Sequence, residues 1–334
     1  MANEKIQFAV LGAGRIGQVH ARTIAANSDA QLTCIADAAP QAAQAIADRY
    51  GCEIATIDDI ADNSAIDAVV ICTPTDTHAD LIEQFARTGK AIFCEKPIDL
   101  DVGRVRTCLT AIERTGTPVM VGFNRRFDPH FAAVKTAITD GKIGDVELVQ
   151  ITSRDPGPPG GSYIKVSGGI FRDMMIHDFD MARFLLGEEP VRVQASGSVL
   201  VNAEIGELGD YDTASALLTT GSGKQCVITN SRRAAYGYDQ RIEVHGSKGA
   251  ITAENQRPVD IEIATAGGYT RPPLHDFFMD RYVDAFAIEL AAFIAALRED
   301  RAPNPSGEDG LRALLIADAA VKSAQSGQAG EVRA

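Results

Sequence analysis

The stretch IQFAVLGAGRIGQVHARTIAA, residues 6–26, constrains the fold more than any other part of the chain. An apolar run that ends in Gly12, Gly14 and Gly17 and passes directly into a helical pattern predicts a strand, a tight turn and a helix. Such a turn aims the N–H groups of a helix N-terminus at an anion, through Gly12, Ala13, Gly14, Arg15, Ile16 and Gly17. The glycine pattern alone is weakly specific. It gains weight from Asp37, which ends the next apolar run, QLTCIAD, twenty residues beyond Gly17. A carboxylate there accepts hydrogen bonds from a ribose 2′-hydroxyl, so the combination predicts a dinucleotide site. The same carboxylate would repel a 2′-phosphate, and no Arg or Lys follows until Arg49. The expected cofactor is NAD rather than NADP.

Three more near-continuous apolar runs follow, DAVVICT, AIFCEKP and PVMVGF, with helical stretches between them. Runs of this kind suit strands buried on both faces, so residues 1–123 read as a doubly wound α/β domain with a parallel sheet. Ligands of such sheets lie at the carboxyl edge. Thr73, Pro74 and Thr75, with His78 just behind them, and Glu95, Lys96 and Pro97 are therefore expected on the cofactor side. Lys96, directly after a buried strand, is either a functional group or a solvated surface lysine.

From residue 145 the texture changes to longer, partly alternating runs: DVELVQITSRD, VRVQASGSVLV, DTASALLTTG, KQCVITNSRRA, QRIEVHGSKGAITAEN and VDIEIATAG. Residues 124–334 therefore read as an α+β domain with an open, mostly antiparallel sheet, one face solvated or covered by a partner. Tyr282, Phe286, Leu290, Phe293 and Leu297 share one helical stripe, which reads as core packing, and a second helix is expected to start at Ser306.

Composition narrows the function classes. A length of 334 residues with 45% apolar content exceeds a single core, which makes two domains the expectation. The formal net charge of −13 disfavours nucleic acid and anionic lipid and fits a small neutral substrate. No apolar run approaches the roughly 20 residues of a membrane span, and the N-terminal stretch carries no basic-then-apolar leader, so a cytoplasmic protein is expected. The six cysteines show no CxxC spacing and read as small buried hydrophobes.

GGIFRDMMIHDFDMARFLLG, residues 168–187, places Asp173 and His177 four apart in an otherwise apolar helical pattern. On a continuous helix His177, Asp180 and Phe184 fall within about 40° of Asp173, while Met174, Met175, Ile176, Phe179, Ala182, Leu185 and Leu186 cover the rest. The polar stripe admits a satisfied core histidine or an acid/base site. No second His or Cys stands nearby at ligand spacing, so no metal is expected. Asp178 falls on the apolar side, where the pattern offers no role for it.

The glycine fingerprint, TPTDTH, EKP and GGIFRDMMIHDFD, in this order, resemble the Gfo/Idh/MocA oxidoreductase family over nearly the whole chain. GFNRRFDP, SRDPGPP and NSRRAAYGYDQRIEVHGSKG look like its inositol 2-dehydrogenase branch. The resemblance implies an N-terminal Rossmann domain, a C-terminal domain whose open sheet often builds a tetramer, and NAD-linked oxidation of a cyclic polyol hydroxyl to a ketone. It also implies a catalytic set of Lys96, Asp173 and His177. An imidazole titrates near neutrality, so His177 suits the base. Lys96 suits the stabiliser of the developing alkoxide, and Asp173 the group that holds the cations or orients the imidazole. Asn124, Arg126, Asp155 and Tyr236 are the expected partners of substrate hydroxyls, each weighed against a turn or surface role, and Arg125 and Arg126 against structural ion pairs. The competing readings are a sibling acting on scyllo-inositol or a pyranose sugar, and a non-catalytic NAD-binding regulator, which would be expected to lack one of the three catalytic residues.

Overall fold

The computed structural model describes residues 4–333. Six strands, β1 (Ile6–Leu11), β2 (Ala30–Ala36), β3 (Glu53–Ile54), β4 (Ala68–Ile71), β5 (Ala91–Glu95) and β6 (Val119–Gly122), pair in parallel in the order β3-β2-β1-β4-β5-β6. Between them run α1 (Arg15–Ala26), α2 (Pro40–Tyr50), α3 (Ile57–Asp62), α4 (His78–Ala86) and α5 (Val102–Thr115). The strands read as continuous apolar runs because both faces are covered. Phe8, Val10, Val70 and Phe93 share a core with Ala21, Ile24 and Ile46 of α1 and α2. Ala9, Leu11, Val69 and Ile71, which alternate with them, are equally buried. The strand order reverses between β1 and β4, the place where a doubly wound sheet opens a crevice at its carboxyl edge. The two-residue β3 is too short and exposed to give a sequence signal.

The first compact unit takes in the chain up to Phe127 and then Asp284–Arg312. The expected division at 123/124 does not anticipate this return. Its cause is the apolar stripe of the helix Val283–Arg298, which places Leu290, Phe293 and Ile294 in the same core as Phe8 and Phe93. The Phe293 ring lies 6.3 Å from Phe8 and 5.8 Å from Phe93. Tyr282, at the head of the predicted stripe, instead sets its ring 5.9 Å from Tyr238 in the second unit.

The second unit comprises Asp128–Val283 and the chain from Ala313. In chain order its region runs α6 (Pro129–Thr139), β7 (Val146–Arg154), α7 (Gly161–Ser167), α8 (Gly169–Asp173), α9 (Ile176–Leu186), β8 (Pro190–Ser198), α10 (Ala203–Glu207), β9 (Thr213–Thr220), β10 (Gln225–Ser231), β11 (Asp239–Gly246), β12 (Gly249–Ala253), β13 (Ile263–Thr265), β14 (Gly268–Thr270) and α11 (Phe278–Arg281). The returning helix is α12 (Val283–Arg298), followed by α13 (Gly307–Ser326) and β15 (Gly330–Glu331). Ser306 caps α13 as expected: its hydroxyl accepts the Asp309 N–H at 3.4 Å, and Asp309 Oδ2 accepts the Ser306 N–H at 2.8 Å.

Seven strands form one sheet in the order β12-β11-β7-β10-β9-β8-β15, antiparallel except for the β7–β10 pair. Alternate residues of β9, Ala214, Ala216 and Leu218, are buried, whereas Ser215 and Leu217 face outward. Helix α9 covers β7 and β10 on the buried face. The run VDIEIATAG departs from expectation. Only Ile263–Thr265 forms a strand, in a separate hairpin with β14, and Val259, Ile261 and Ile263 are each more than half exposed. Alternation there reports a strand-like rhythm without a sheet to bury it. No helix among the described residues is long and apolar enough to cross a membrane.

Candidate active site

The glycine loop joins β1 to α1 in the first unit, and its three glycines have different reasons to be there. Gly12 has φ +100°, and a Cβ on it would lie 2.6 Å from the Cys72 carbonyl oxygen. A Cβ on Gly17 would lie 1.9 Å from the Gly12 carbonyl oxygen, so only glycine lets the helix come this close to the turn. At Gly14, the N-cap of α1, a Cβ would meet nothing within 4 Å. The loop is thus closed behind and open in front, at a helix N-terminus whose N–H groups suit an anion. Asp37 is tied to this loop: Oδ2 accepts the Ala13 N–H at 2.5 Å and Oδ1 accepts the Ala39 N–H at 2.6 Å. A carboxylate offers about four acceptor sites, so two remain for other donors.

The next two strand ends are joined by a histidine. His78 is buried, with Nε2 2.7 Å from the Thr73 carbonyl oxygen and Nδ1 2.8 Å from that of Pro97. The ring therefore lies between the segments Thr73–Thr75 and Glu95–Pro97, both of which were expected on the cofactor side. Thr73 Oγ1 and Thr77 Oγ1 lie 2.6 Å apart, which closes the turn after β4. Glu95 likewise turns inward. Its Oε1 lies 2.7 Å from His20 Nε2, and the His20 ring sits 5.0 Å from Phe93 and 5.5 Å from Phe286. Lys96 follows at the carboxyl edge, half-buried. Glu289 of α12 is fully buried, and its two carboxyl oxygens make no hydrogen bond among the described residues. Burial first, and then the Glu95 charge, push its carboxyl well above the usual range.

Asn124 and Arg126 occupy a 3-10 turn directly after β6, and both are buried. Arg126 Nη2 pairs with Asp309 Oδ1 at 2.9 Å and Nη1 donates to Asn304 Oδ1 at 3.2 Å. The ion-pair reading of Arg126 fits these contacts better than a substrate contact.

In the second unit the helix expected through Asp173 and His177 is interrupted. Helix α8 ends at Asp173, Met174 and Met175 form a turn, and α9 begins at Ile176. The Met174 and Met175 N–H groups both donate to the Ile170 carbonyl, at 3.1 and 2.8 Å. The apolar positions of the predicted pattern are all buried, whereas the acids behave differently. Asp180, expected on the polar stripe, is 1% exposed and pairs with Arg183 at 3.5 Å. Asp178 is fully buried, and its two oxygens accept from Ser153 Oγ at 2.6 Å and Asn230 Nδ2 at 2.8 Å. It pins α9 to β7 and β10, which accounts for an acid on the apolar side. Asp155 follows β7, its N–H donating to the Ser231 carbonyl at 2.9 Å. Tyr236 exposes half of its ring, but its hydroxyl donates to Asp239 Oδ2 at 2.6 Å and accepts from Arg154 Nη1 at 2.7 Å. Burial and the Asp239 bond push that phenol upward.

Residues 6–123 match a family model described as an oxidoreductase family with an NAD-binding Rossmann fold, and residues 131–252 match the GFO/IDH/MocA C-terminal domain. The chain belongs to the Gfo/Idh/MocA oxidoreductase family. Within that family it is 67% identical to an inositol 2-dehydrogenase of Rhizobium meliloti, over 95% of this chain and 96% of that protein. A myo-inositol dehydrogenase structure from Corynebacterium glutamicum superposes with a TM-score of 0.95 at 43% identity, covering 99% of both chains. A scyllo-inositol dehydrogenase from Lactobacillus casei, solved with NAD(H) and scyllo-inositol, gives 0.91 at 29% identity, covering 98% of this chain and 99% of that one. In this Gfo/Idh/MocA chain the sequence reading passed over Tyr163, Asp210 and Arg232, whose side chains surround Asp173. Arg232 lies in NSRRAAYG, but nothing in the sequence marks it as the buried member of a pair of arginines. Among the described residues no group of three His, Cys, Asp or Glu is arranged to hold a metal.

Proposed function

We propose that this chain catalyses the NAD-dependent oxidation of a ring hydroxyl of myo-inositol to the 2-keto inositol. The observation that carries the reading is the likeness, over nearly the full length of both chains, to the Rhizobium inositol 2-dehydrogenase. The glycine loop fits a dinucleotide, with open space at Gly14 and none behind Gly12 and Gly17. Bound NAD supplies the hydride acceptor. Residues 12–17 receive the pyrophosphate, and Asp37 the ribose hydroxyls. His177 takes the proton from the reacting hydroxyl, Lys96 donates a hydrogen bond to the same oxygen as negative charge grows on it, and Asp173 orients these cations. Asn124, Asp155 and Tyr236 recognise the remaining hydroxyls. Residues 1–123, with the returning α12 in their core, serve the cofactor, and the rest of residues 124–334 the substrate and assembly. Four copies associate through the outward face of the seven-stranded sheet, in the cytoplasm.

The test follows NADH absorbance with purified protein across myo-, scyllo- and chiro-inositol and several aldoses, with NAD and NADP in parallel. The highest kcat/KM is expected for myo-inositol with NAD. A preference for scyllo-inositol would move the chain to the sibling activity, and no turnover on any polyol would leave a binding protein. Lys96→Ala and His177→Ala are each expected to lower kcat by about 10²–10⁴-fold.

A further inference from the structure

Asp173 is partly buried and sits against a buried arginine that a second acid also faces. Arg232, one residue past β10, is 1% exposed, and its Nη1 and Nη2 both lie 3.4 Å from Asp173 Oδ2. Nη2 also reaches Asp210 Oδ2 at 3.3 Å. Asp210 Oδ1 in turn accepts the Ile170 N–H, in the first turn of α8, at 2.8 Å. Tyr163 of α7 donates its hydroxyl to Asp173 Oδ1 at 2.7 Å. Gly169 has φ +82°, and a Cβ on it would lie 2.7 Å from Asp210 Oδ1, so the start of α8 is built around that carboxylate. Arg232 is itself anchored: its N–H donates to the Asp212 carbonyl at 2.8 Å, while the Asp212 carboxylate accepts the N–H groups of Leu200, Val201 and Asn202.

We propose that Arg232 is a positioning residue, which together with Asp210 clamps both ends of α8 and holds the Asp173 carboxylate in the single orientation the reaction uses. The proposal rests on the reading of Asp173 as a member of the catalytic set. A planar guanidinium can face two carboxylates at once, whereas an ammonium is a point donor that serves one of them well. A helix of one and a half turns has little rigidity of its own, so the direction of its last side chain is set by what grips its ends. The grip comes from β10 and from the segment before β9, elements of the sheet rather than of the helix. Misplacement of a catalytic group by about 1 Å is enough to cost on the order of 10²-fold in rate.

The experiment is a double-mutant cycle in the full-length protein with Arg232→Met, Asp173→Asn and the pair, alongside Arg232→Lys, whose retained charge guards against misfolding. Steady-state kcat and KM for myo-inositol, the Kd for NAD and the thermal transition are measured for each. Arg232→Met is expected to lower kcat about 10–100-fold while the Kd for NAD stays within about twofold, and Arg232→Lys to recover part of the loss. In the Asp173→Asn background the same Arg232→Met change is expected to cost less than about threefold, because the group it positions is already gone. An equal loss of kcat in both backgrounds, or a lowered thermal transition with kcat retained in Arg232→Lys and Arg232→Met, overturns the positioning role. Near-wild-type turnover in Asp173→Asn overturns the reading of Asp173 itself, and the proposal with it. An inactive Asp173→Asn beside a fully active Arg232→Met sinks the proposal alone.

Discussion

Asp37 shows how much one side chain can carry: it ties the glycine loop through the Ala13 N–H, and in the function proposed above its remaining acceptor sites meet the ribose. Asp37→Ser removes the charge that would oppose a 2′-phosphate. The preference for NAD over NADP, as a ratio of kcat/KM values, should fall by roughly 10–100-fold. Glu289 gives a prediction in pH. Its raised carboxyl pKa means that the folded chain keeps a proton which the unfolded chain releases above about pH 4.3, so stability falls as pH rises from there towards the folded value. Glu289→Met abolishes this loss, and its melting temperature should exceed that of wild type by more at pH 8 than at pH 5. Gains equal at both pH values would show that the carboxyl is ionised in the native state. Gly12, Gly17 and Asp37 stand out in the sequence by their spacing after two apolar runs, although Gly12 is held by Cys72 and Asp37 by Ala13, neither of them a neighbour in the chain. Arg232, Asp210 and His20 do not, because each is defined by a partner on another element, and Glu289 does not, because it is defined by its burial.

At the scale of elements the hydrophobic rhythm predicted the strands of both sheets well wherever a strand had a face to bury. It failed at VDIEIATAG, where the rhythm is present and the sheet is absent, and at Met174–Met175, where an unbroken apolar pattern runs through a break between two helices. Period reports which side faces the core and is silent about a turn that keeps both neighbours on that side. Asp178 looked like an error in the pattern and is the bolt of α9. Asp178→Ala would leave the buried Ser153 hydroxyl and Asn230 amide without this carboxylate, at a cost of about 2–4 kcal/mol. Urea unfolding followed by circular dichroism should show that loss, and Asp178→Asn should recover part of it.

At the scale of the whole molecule, the sequence order of the elements is not the order in which the cores are built. The first unit buries Phe293 of α12 against Phe8 and Phe93, so Phe293→Ala, far along the chain from the glycine loop, should destabilise the NAD-binding unit by about 3–5 kcal/mol. In calorimetry the transition that NAD protects should be the one that moves, and saturating NAD at about 100 times its Kd should return roughly 2.7 kcal/mol. The return of α12 also has a meaning for synthesis. All six parallel strands leave the ribosome before the helix that covers part of one face, and the intervening chain takes roughly 8–35 s to make at about 5–20 residues per second. For that interval the Phe8 and Phe93 side of the sheet lacks one of its covering layers, so apolar surface that the finished unit buries stays open to water until α12 has been translated.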